Sequence, residues 1–324
     1  MQKVLIAGGA GFIGFHLCKL LLEKGYAVTC IDNFITGDKK NIEPFLNNPH
    51  FNFIELDISK DSANAVLQSL DVKTNINFIF HLASPASPNK KSKRSYINYP
   101  IETMLANSLG TYNLLELARL CNAKFLYASS SEIYGDPTVS PQSEKYFGNV
   151  NPNGIRSVYD EAKRFGEAMT MAFVRKHDLD CRIVRIFNTY GPCMQSDDGR
   201  VVSNFIMQSL KNSPITIYGD GSQTRSFCFV EDMIFGLELA MFKEETKGEV
   251  INLGNPNEQT VLALATMVKQ LAGSESEIVL EDLPEDDPKR RKPDIEKAKT
   301  ILGWEPRVSI EEGVKKTIDY FKAL

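Results

Sequence analysis

A chain of 324 residues, 43% of them hydrophobic, can bury a large core and is too apolar for disorder or a fibre. Its formal net charge of −4, with both signs mixed along the chain, leaves no footprint for nucleic acid or an anionic membrane surface, so any phosphate it binds must be held locally. Six cysteines without a CxxC pair and four histidines without ligand spacing point to a reducing compartment and to no structural metal. "MQKVLIAGG" runs straight into a first strand and no apolar run reaches bilayer length, so the sequence predicts a soluble, cytoplasmic protein.

In chain order the elements alternate. "KVLIAG" precedes a helix over Phe12–Lys24; "AVTCID", "FNFIELD" and "NFIFHLAS" follow as strands; a helix is expected near Ile101–Cys121, then "KFLYASS", a helix near Tyr159–Lys176, and "CRIVRIFN". Strands alternating with helices imply βαβ units, hence a doubly wound parallel sheet of the Rossmann kind. After Asn188 the chain turns to Gly- and Pro-punctuated segments such as "YGPCMQSDDGR" and "YGDGSQTRSF", while "VINLGN" reads as one more strand of the first sheet. The expected division is a dinucleotide-binding domain of residues 1–187 plus about 229–254, interleaved with a smaller substrate domain of 188–228 plus 255–324. "LPEDDPKRRKPD" reads as extended, and Ile295–Leu302 and Ile310–Leu324 as amphipathic closing helices.

"GGAGFIG" sets Gly8, Gly11 and Gly14 at the first strand-to-helix junction, where glycine permits a tight turn and lets backbone N–H groups approach a pyrophosphate. Alone such a trio can be only a turn, but Asp32 ends the next strand at the offset of a residue that accepts from both ribose hydroxyls and repels a 2′-phosphate. The cofactor expected is therefore NAD rather than NADP. Asp57 and "HLAS" (His81–Ser84) also fall at carboxyl ends of strands, where open sheets bind ligands. "YDEAK" puts Tyr159 and Lys163 on one helical face, and an ammonium beside a phenol favours the phenolate. The bland alternative is a surface tyrosine beside a solvated lysine.

"GGAGFIG", "SSSEIYGD" and "YDEAK" together resemble the extended short-chain dehydrogenase/reductase family of nucleotide-sugar enzymes. "HLASPASP", "GNVNPNGIRSVYDEAKR", "RIFNTYGP", "DGRVVSNFI", "YGDGSQTRSF" and "EDDPKRRKPDI" narrow the resemblance to the UDP-glucuronate decarboxylases, or UDP-xylose synthases, almost end to end. The resemblance implies that Tyr159 is the base, Lys163 tunes it and holds the nicotinamide ribose, Ser130 completes the triad and Glu132 is a second catalytic group. On the cofactor side it implies Gly8, Gly11, Phe12, Ile13 and Gly14 of the first turn; Asp32, Asn33, Phe34, Thr36 and Gly37 after the second strand; and Asp57 with Ile58. Leu82, Ala83, Ser84 and Ala128 follow, with Thr189 and Arg200 further on. On the UDP-sugar side it implies Asn113, Ser131, Asn188, Val201, Asn204, Tyr218, Gln223, Arg225 and Arg291, the two arginines suiting a diphosphate. The basic neighbours Lys289 and Lys292 read better as a solvated loop.

The mechanism implied is oxidation at sugar carbon 4 by NAD, loss of carbon dioxide, and return of the electrons, without a metal. The segment "NKKSKRSYINYP" is longer than the family's linker, and Leu105 stands about where the family keeps a lysine, in a stretch expected over the sugar. One of Lys90, Lys91, Lys93 or Arg94 would replace that cation, or the segment is a mobile solvated loop. A 4,6-dehydratase keeps an aspartate where Ser131 stands, a poor position for a serine if a hydroxyl must be protonated as it leaves. A 4-epimerase shares fold, cofactor and triad, and a non-catalytic NAD sensor would have no use for that triad. The helices near Ile101–Cys121 and Tyr159–Lys176 are expected to build a homodimer through a four-helix interface.

Overall fold

The computed structural model describes residues 1–60, 68, 76–283 and 290–324. The first half supplies strands β1 Lys3–Ala7, β2 Ala27–Asp32, β3 Phe51–Glu55, β4 Phe78–His81, β5 Lys124–Ser130 and β6 Cys181–Ile186. Between them run helices α1 Phe12–Glu23, α2 Pro100–Asn107, α3 Leu109–Cys121 and α4 Ser157–His177. Then come β7 Thr189–Tyr190, α5 Val201–Leu210, β8 Ile215–Tyr218, β9 Thr224–Ser226, β10 Cys228–Phe229, α6 Val230–Phe242 and β11 Val250–Leu253. The chain ends with β12 Glu258–Thr260, α7 Val261–Ala272, β13 Ile278–Glu281, β14 Arg290–Arg291 and α8 Ile310–Lys322.

Seven strands form one sheet in the order β11-β6-β5-β4-β1-β2-β3, every pairing parallel. Both faces are covered, which is why these strands read as continuous apolar runs rather than alternating ones. Along β1, Val4 and Ile6 enter the core that includes Leu17 and Leu21 of α1, while Leu5 and Ala7 enter the opposite core with Leu114 and Leu117 of α3. The order reverses between β1 and β4, so their carboxyl ends open a crevice at the switch point. "VINLGN" returns to this sheet: Ile251 and Leu253 of β11 register with Val184 and Ile186 of β6. The first core continues through Met233 and Leu237 of α6 to Leu264 of α7 and Val314 and Ile318 of α8. Trp304, fully buried there, donates its indole N–H to the Asp232 carbonyl at 2.9 Å.

Two expected elements differ. The helix expected over Ile101–Cys121 is broken into α2 and α3 at Ser108, whose backbone leaves helical geometry at φ −105° and ψ −80°. Its hydroxyl donates back to the Met104 carbonyl at 2.7 Å, the local competition that makes serine a weak helix interior. The helix expected over Ile295–Leu302 forms over 296–302, but its last five residues, Ala298–Leu302, widen beyond α-helical geometry before Gly303 stops it in the left-handed region at φ 62°. Of "LPEDDPKRRKPD", residues 284–289 lie outside the described residues, Lys289 among them; Arg290–Arg291 pair parallel with β9. Among the described residues no helix is long and apolar enough to cross a membrane, and no three His, Cys, Asp or Glu side chains are grouped to hold a metal ion.

Candidate active site

A cavity of about 580 Å³ occupies the crevice and extends to the β8–β9 segment. A smaller one adjoins it around the ends of β2 and β3. The glycine-rich turn separates them, with Gly8 and Gly11 lining both. Gly8 has φ +86°, and a Cβ on it would stand 2.6 Å from the Ala83 nitrogen; one on Gly14 would stand 2.2 Å from the Gly8 carbonyl oxygen. Gly11 differs: its Cβ would meet only the Gly8 oxygen, at 3.3 Å, so its bareness serves the cavity more than the packing. Gly11 is also the N-cap of α1, with no side-chain cap and no acid in the first turn, which leaves the helix's free N–H groups for an anion.

Asp32 ends β2 beneath this turn, its Oδ2 accepting from the Ala10 N–H at 3.0 Å and its Oδ1 from the Phe34 N–H at 2.8 Å. Burial pushes its carboxyl upward against those backbone donors. With Asn33, Thr36, Gly37, Asp57, Ile58 and Ala83 it lines the smaller cavity, while Phe12, Ile13, Gly14, Ala128 and Thr189 line the larger, and Leu82 and Ser84 line both. Arg200 lies 5.8 Å from the Phe12 ring centre and is held by Asp198, so a guanidinium faces the glycine turn. An uncapped helix end, a bare Gly11 and an acid at the strand tip fit a dinucleotide with an unphosphorylated adenosine ribose.

Ser130, Ser131, Glu132, Tyr159 and Lys163 converge on the larger cavity. Lys163 is buried and its Nζ donates to the Ala128 carbonyl at 2.8 Å, 5.6 Å from the Tyr159 ring centre. Burial pulls the ammonium down to about 7, and it lifts the Tyr159 phenol above its usual range despite a hydrogen bond with Ser130. Desolvation is the largest influence on the phenol, ahead of the Ser130 hydrogen bond and of the Glu132, Arg200 and Asp160 charges. Tyr159 stacks on Tyr96 at 4.9 Å with the planes 10° apart. Burial would raise Glu132 too, but Arg156 and Arg291 outweigh it and hold the carboxyl at about 2.

On the far side, Asn188, Val201, Asn204, Tyr218, Gln223, Arg225 and Arg291 line the same cavity. Gln223 donates its Nε2 to the Tyr218 carbonyl at 2.6 Å, which leaves its buried Oε1 without a partner; the buried Nε of Arg291 has none either. Both residues line the cavity, and each keeps a buried polar atom that the protein itself does not pair. Three expectations are displaced. Asn113 lies away from this region and donates to the Ile58 carbonyl at 2.9 Å behind the smaller cavity. Phe34 adds a backbone N–H to Asp32 rather than a wall to either cavity. Leu105 lies on the outer face of α2, exposed, and lines neither cavity. Nor is the 89–95 segment a solvated loop: Ser92 and Ser95 are buried, and Lys90, Lys91 and Arg94 line the larger cavity.

A family model described as GDP-mannose 4,6 dehydratase matches residues 5–317. A UDP-glucuronic acid decarboxylase 1 from Xenopus tropicalis is 47% identical over 321 residues, 99% of this chain and 72% of that one. The chain belongs to this family of nucleotide-sugar epimerases, dehydratases and decarboxylases. A UDP-glucose 4-epimerase from Thermotoga maritima, solved with UDP-glucose, superposes with a TM-score of 0.89 at 31% identity, covering 99% of each chain. A UDP-glucuronic acid 4-epimerase from Bacillus cereus, solved with UDP-glucuronic acid and NAD, gives 0.86 at 30% identity over the same 99% of each.

Beside the expected residues of this family's site, the structure adds Arg156, Tyr96 and Asp198. Arg156 sits three residues before Tyr159, one turn back along the helix entry, and that spacing was a usable signal. Asp198 opens the string "DGRVVSNFI" two positions before Arg200, a local signal that was there to be used, whereas Tyr96 carries no motif and only the folded chain brings it to Tyr159.

Proposed function

We propose that the chain converts UDP-glucuronate to UDP-xylose through a transient 4-keto sugar, with NAD regenerated in each turnover. The observation that carries this reading is 47% identity over 321 residues to a UDP-glucuronic acid decarboxylase, in a chain where Ser130, Glu132, Tyr159 and Lys163 share one cavity. Asp32 would hold the adenosine ribose, the Gly11 turn and Arg200 the pyrophosphate, and Lys163 the nicotinamide ribose. Bound there, NAD would supply the oxidation of sugar carbon 4 and its later reduction.

Tyr159 takes the proton of the 4-hydroxyl, and Ser130 holds the same oxygen through its hydroxyl. A ketone at carbon 4 lies β to the carboxylate on carbon 5, so the electrons of the breaking carbon–carbon bond flow into it as an enolate, and carbon 5 then takes up a proton from solvent before carbon 4 is reduced. Glu132, kept ionised by Arg156 and Arg291, stays an acceptor throughout, and the cluster retains an excess positive charge that suits an anionic sugar. Arg225 and Arg291 grip the diphosphate, and Tyr218 and Gln223 the base. Ser131 stands where a dehydratase keeps its proton donor; carbon dioxide leaves without one.

The second reading is 4-epimerisation, favoured by the shape shared with the two epimerases. Incubation with UDP-glucuronate and NAD, followed by mass detection of the sugar nucleotide, separates them. A product lighter by carbon dioxide supports decarboxylation, and unchanged mass with altered retention supports epimerisation. We further read residues 1–187 with 229–254 as the NAD-binding unit and the remainder as the sugar-nucleotide unit. The six free cysteines support a reducing, cytoplasmic setting. Exposed Ile101, Met104, Leu109, Tyr112 and Phe165 on α2, α3 and α4 support a homodimer through those helices.

A further inference from the structure

The segment that departs from the family's pattern is built into the site. Ser95 is fully buried and Ser92 nearly so, and the Tyr96 N–H returns to the Ser87 carbonyl at 3.0 Å. One side of the segment is sewn to the chain that carries Arg200: the Ser87 hydroxyl donates to the Asp198 carbonyl at 2.5 Å, Ser92 to the Asp197 carbonyl at 2.7 Å, and the Asn89 amide to the Gly199 carbonyl at 3.1 Å. Arg94 joins the other side. Its Nη1 donates to the Thr36 and Gly37 carbonyls at 2.6 and 3.3 Å, on the loop that follows Asp32, while its Nε donates to the Asp197 carboxylate at 3.1 Å. Asp38 lies 3.6 Å from its Nη2.

A guanidinium has five donors in a fixed fork and can hold two loops at a set separation, which a flexible ammonium cannot do as well. Here one loop lies against the smaller cavity and the other carries the arginine facing the glycine turn, with both cavities opening between them. We infer that residues 87–95 form a strap across the dinucleotide site and that Arg94 is the positioning residue that fastens it, so that the cofactor stays in place through turnover. The inference rests on the proposed use of NAD. It also narrows the expectation for this segment's cations: Arg94 is committed to protein carbonyls and Asp197, which leaves Lys90 and Lys91, both lining the larger cavity, as the cations that could stand in for a sugar-binding lysine. A reaction that oxidises and then reduces the same sugar requires the reduced cofactor to wait for the intermediate, and a strap lengthens that wait.

The test loads the purified holoenzyme with NADH and follows its fluorescence during a chase with excess NAD. Arg94→Ala should raise the release rate about tenfold or more, the loss expected for charge-assisted hydrogen bonds. Asp197→Ala, which cuts only one of the two sides, should raise it less, and Arg94→Lys should recover part of the retention. The double variant should release no faster than Arg94→Ala alone, because both changes break the same clasp. Should Arg94→Ala fail to fold, Asp197→Ala and Arg94→Lys still report on the strap. Release within twofold of the parent in every folded variant overturns the strap. A parent chain that retains no NADH overturns the NAD reading and the strap together.

Discussion

Arg291 closes on Glu132 across 159 positions of sequence, its Nη2 donating to Oε2 at 3.1 Å while Nη1 meets Oε1. Arg156 meets the same carboxylate from the entry to α4. Because the folded carboxyl is held at about 2 against 4.5 unfolded, the cluster's stabilisation is present above about 4.5 and is lost as pH falls to about 2. Glu132→Gln should flatten melting temperature over that window. Glu132→Ala strands two buried guanidinia together and should cost about 3–5 kcal/mol in a denaturant melt. An alanine variant as stable as the parent would show that the pair contributes nothing to the fold.

Lys163 makes the opposite demand. Its folded value of about 7 lies below the unfolded 10.5, so the unfolded chain holds the extra proton between them and stability from this site rises with pH from about 7 to 10.5. Lys163→Met should therefore stabilise the dinucleotide-free protein at pH near 7 and lose that advantage as the pH approaches 10.5, read from parallel thermal melts. Turnover of UDP-glucuronate should vanish in the same variant.

Tyr159→Phe removes only the phenolic oxygen. Turnover should fall by about 10²–10⁴, the usual worth of a positioned acid–base group, while NADH fluorescence titration stays near the parent curve. Loss of NADH binding of similar size would instead assign Tyr159 to holding the cofactor.

Much of this was legible because the chemistry is local. The β1–α1 turn and the Tyr159–Lys163 pair each lie on a few consecutive residues, and the buried strands announce themselves as apolar runs with helices between. Where chemistry depends on long-range approach, reading along the chain falls short. Nothing in "HLASPASP" or "NKKSKRSYINYP" tells that Ser87 of the first and Ser92 and Arg94 of the second bond to residues more than a hundred positions away at Asp197 and Asp198. A lysine-rich string reads as solvent-facing when its serines and tyrosine are the parts that anchor it. The surroundings of Tyr159 are half-legible for a related reason: the neighbouring ammonium is visible in the sequence, and the desolvation of the phenol is not.

The first turn offers a cleaner separation of folding from binding. A methyl on Gly14 would collide with the Gly8 carbonyl at 2.2 Å and with the Gly9 Cα at 2.6 Å, so Gly14→Ala should cost about 1–3 kcal/mol as backbone gives way. Gly11→Ala meets one atom at 3.3 Å and should melt near the parent while NADH affinity drops, because its methyl enters the space left for the ligand. Equal melting losses in the two variants would remove the argument that Gly11 is bare for a ligand.

Leu105 decides between two accounts of the same helix. If the segment reads the sugar, as its counterpart in the family is expected to do, Leu105→Lys should change KM for UDP-glucuronate and leave the mass in solution alone. The side chain is exposed on α2, beside Ile101 and Met104, and lines neither cavity. A lysine there adds a charge to an apolar face that water alone would not favour. Light scattering on Leu105→Lys combined with Ile101→Lys should therefore show the proposed dimer falling to a monomer, with KM unchanged within about twofold and a melt that becomes independent of protein concentration. Since each protomer of a two-fold pair presents the same patch, the two lysines become four at the contact, and repulsion between like charges makes the loss of mass steeper at low salt than at high.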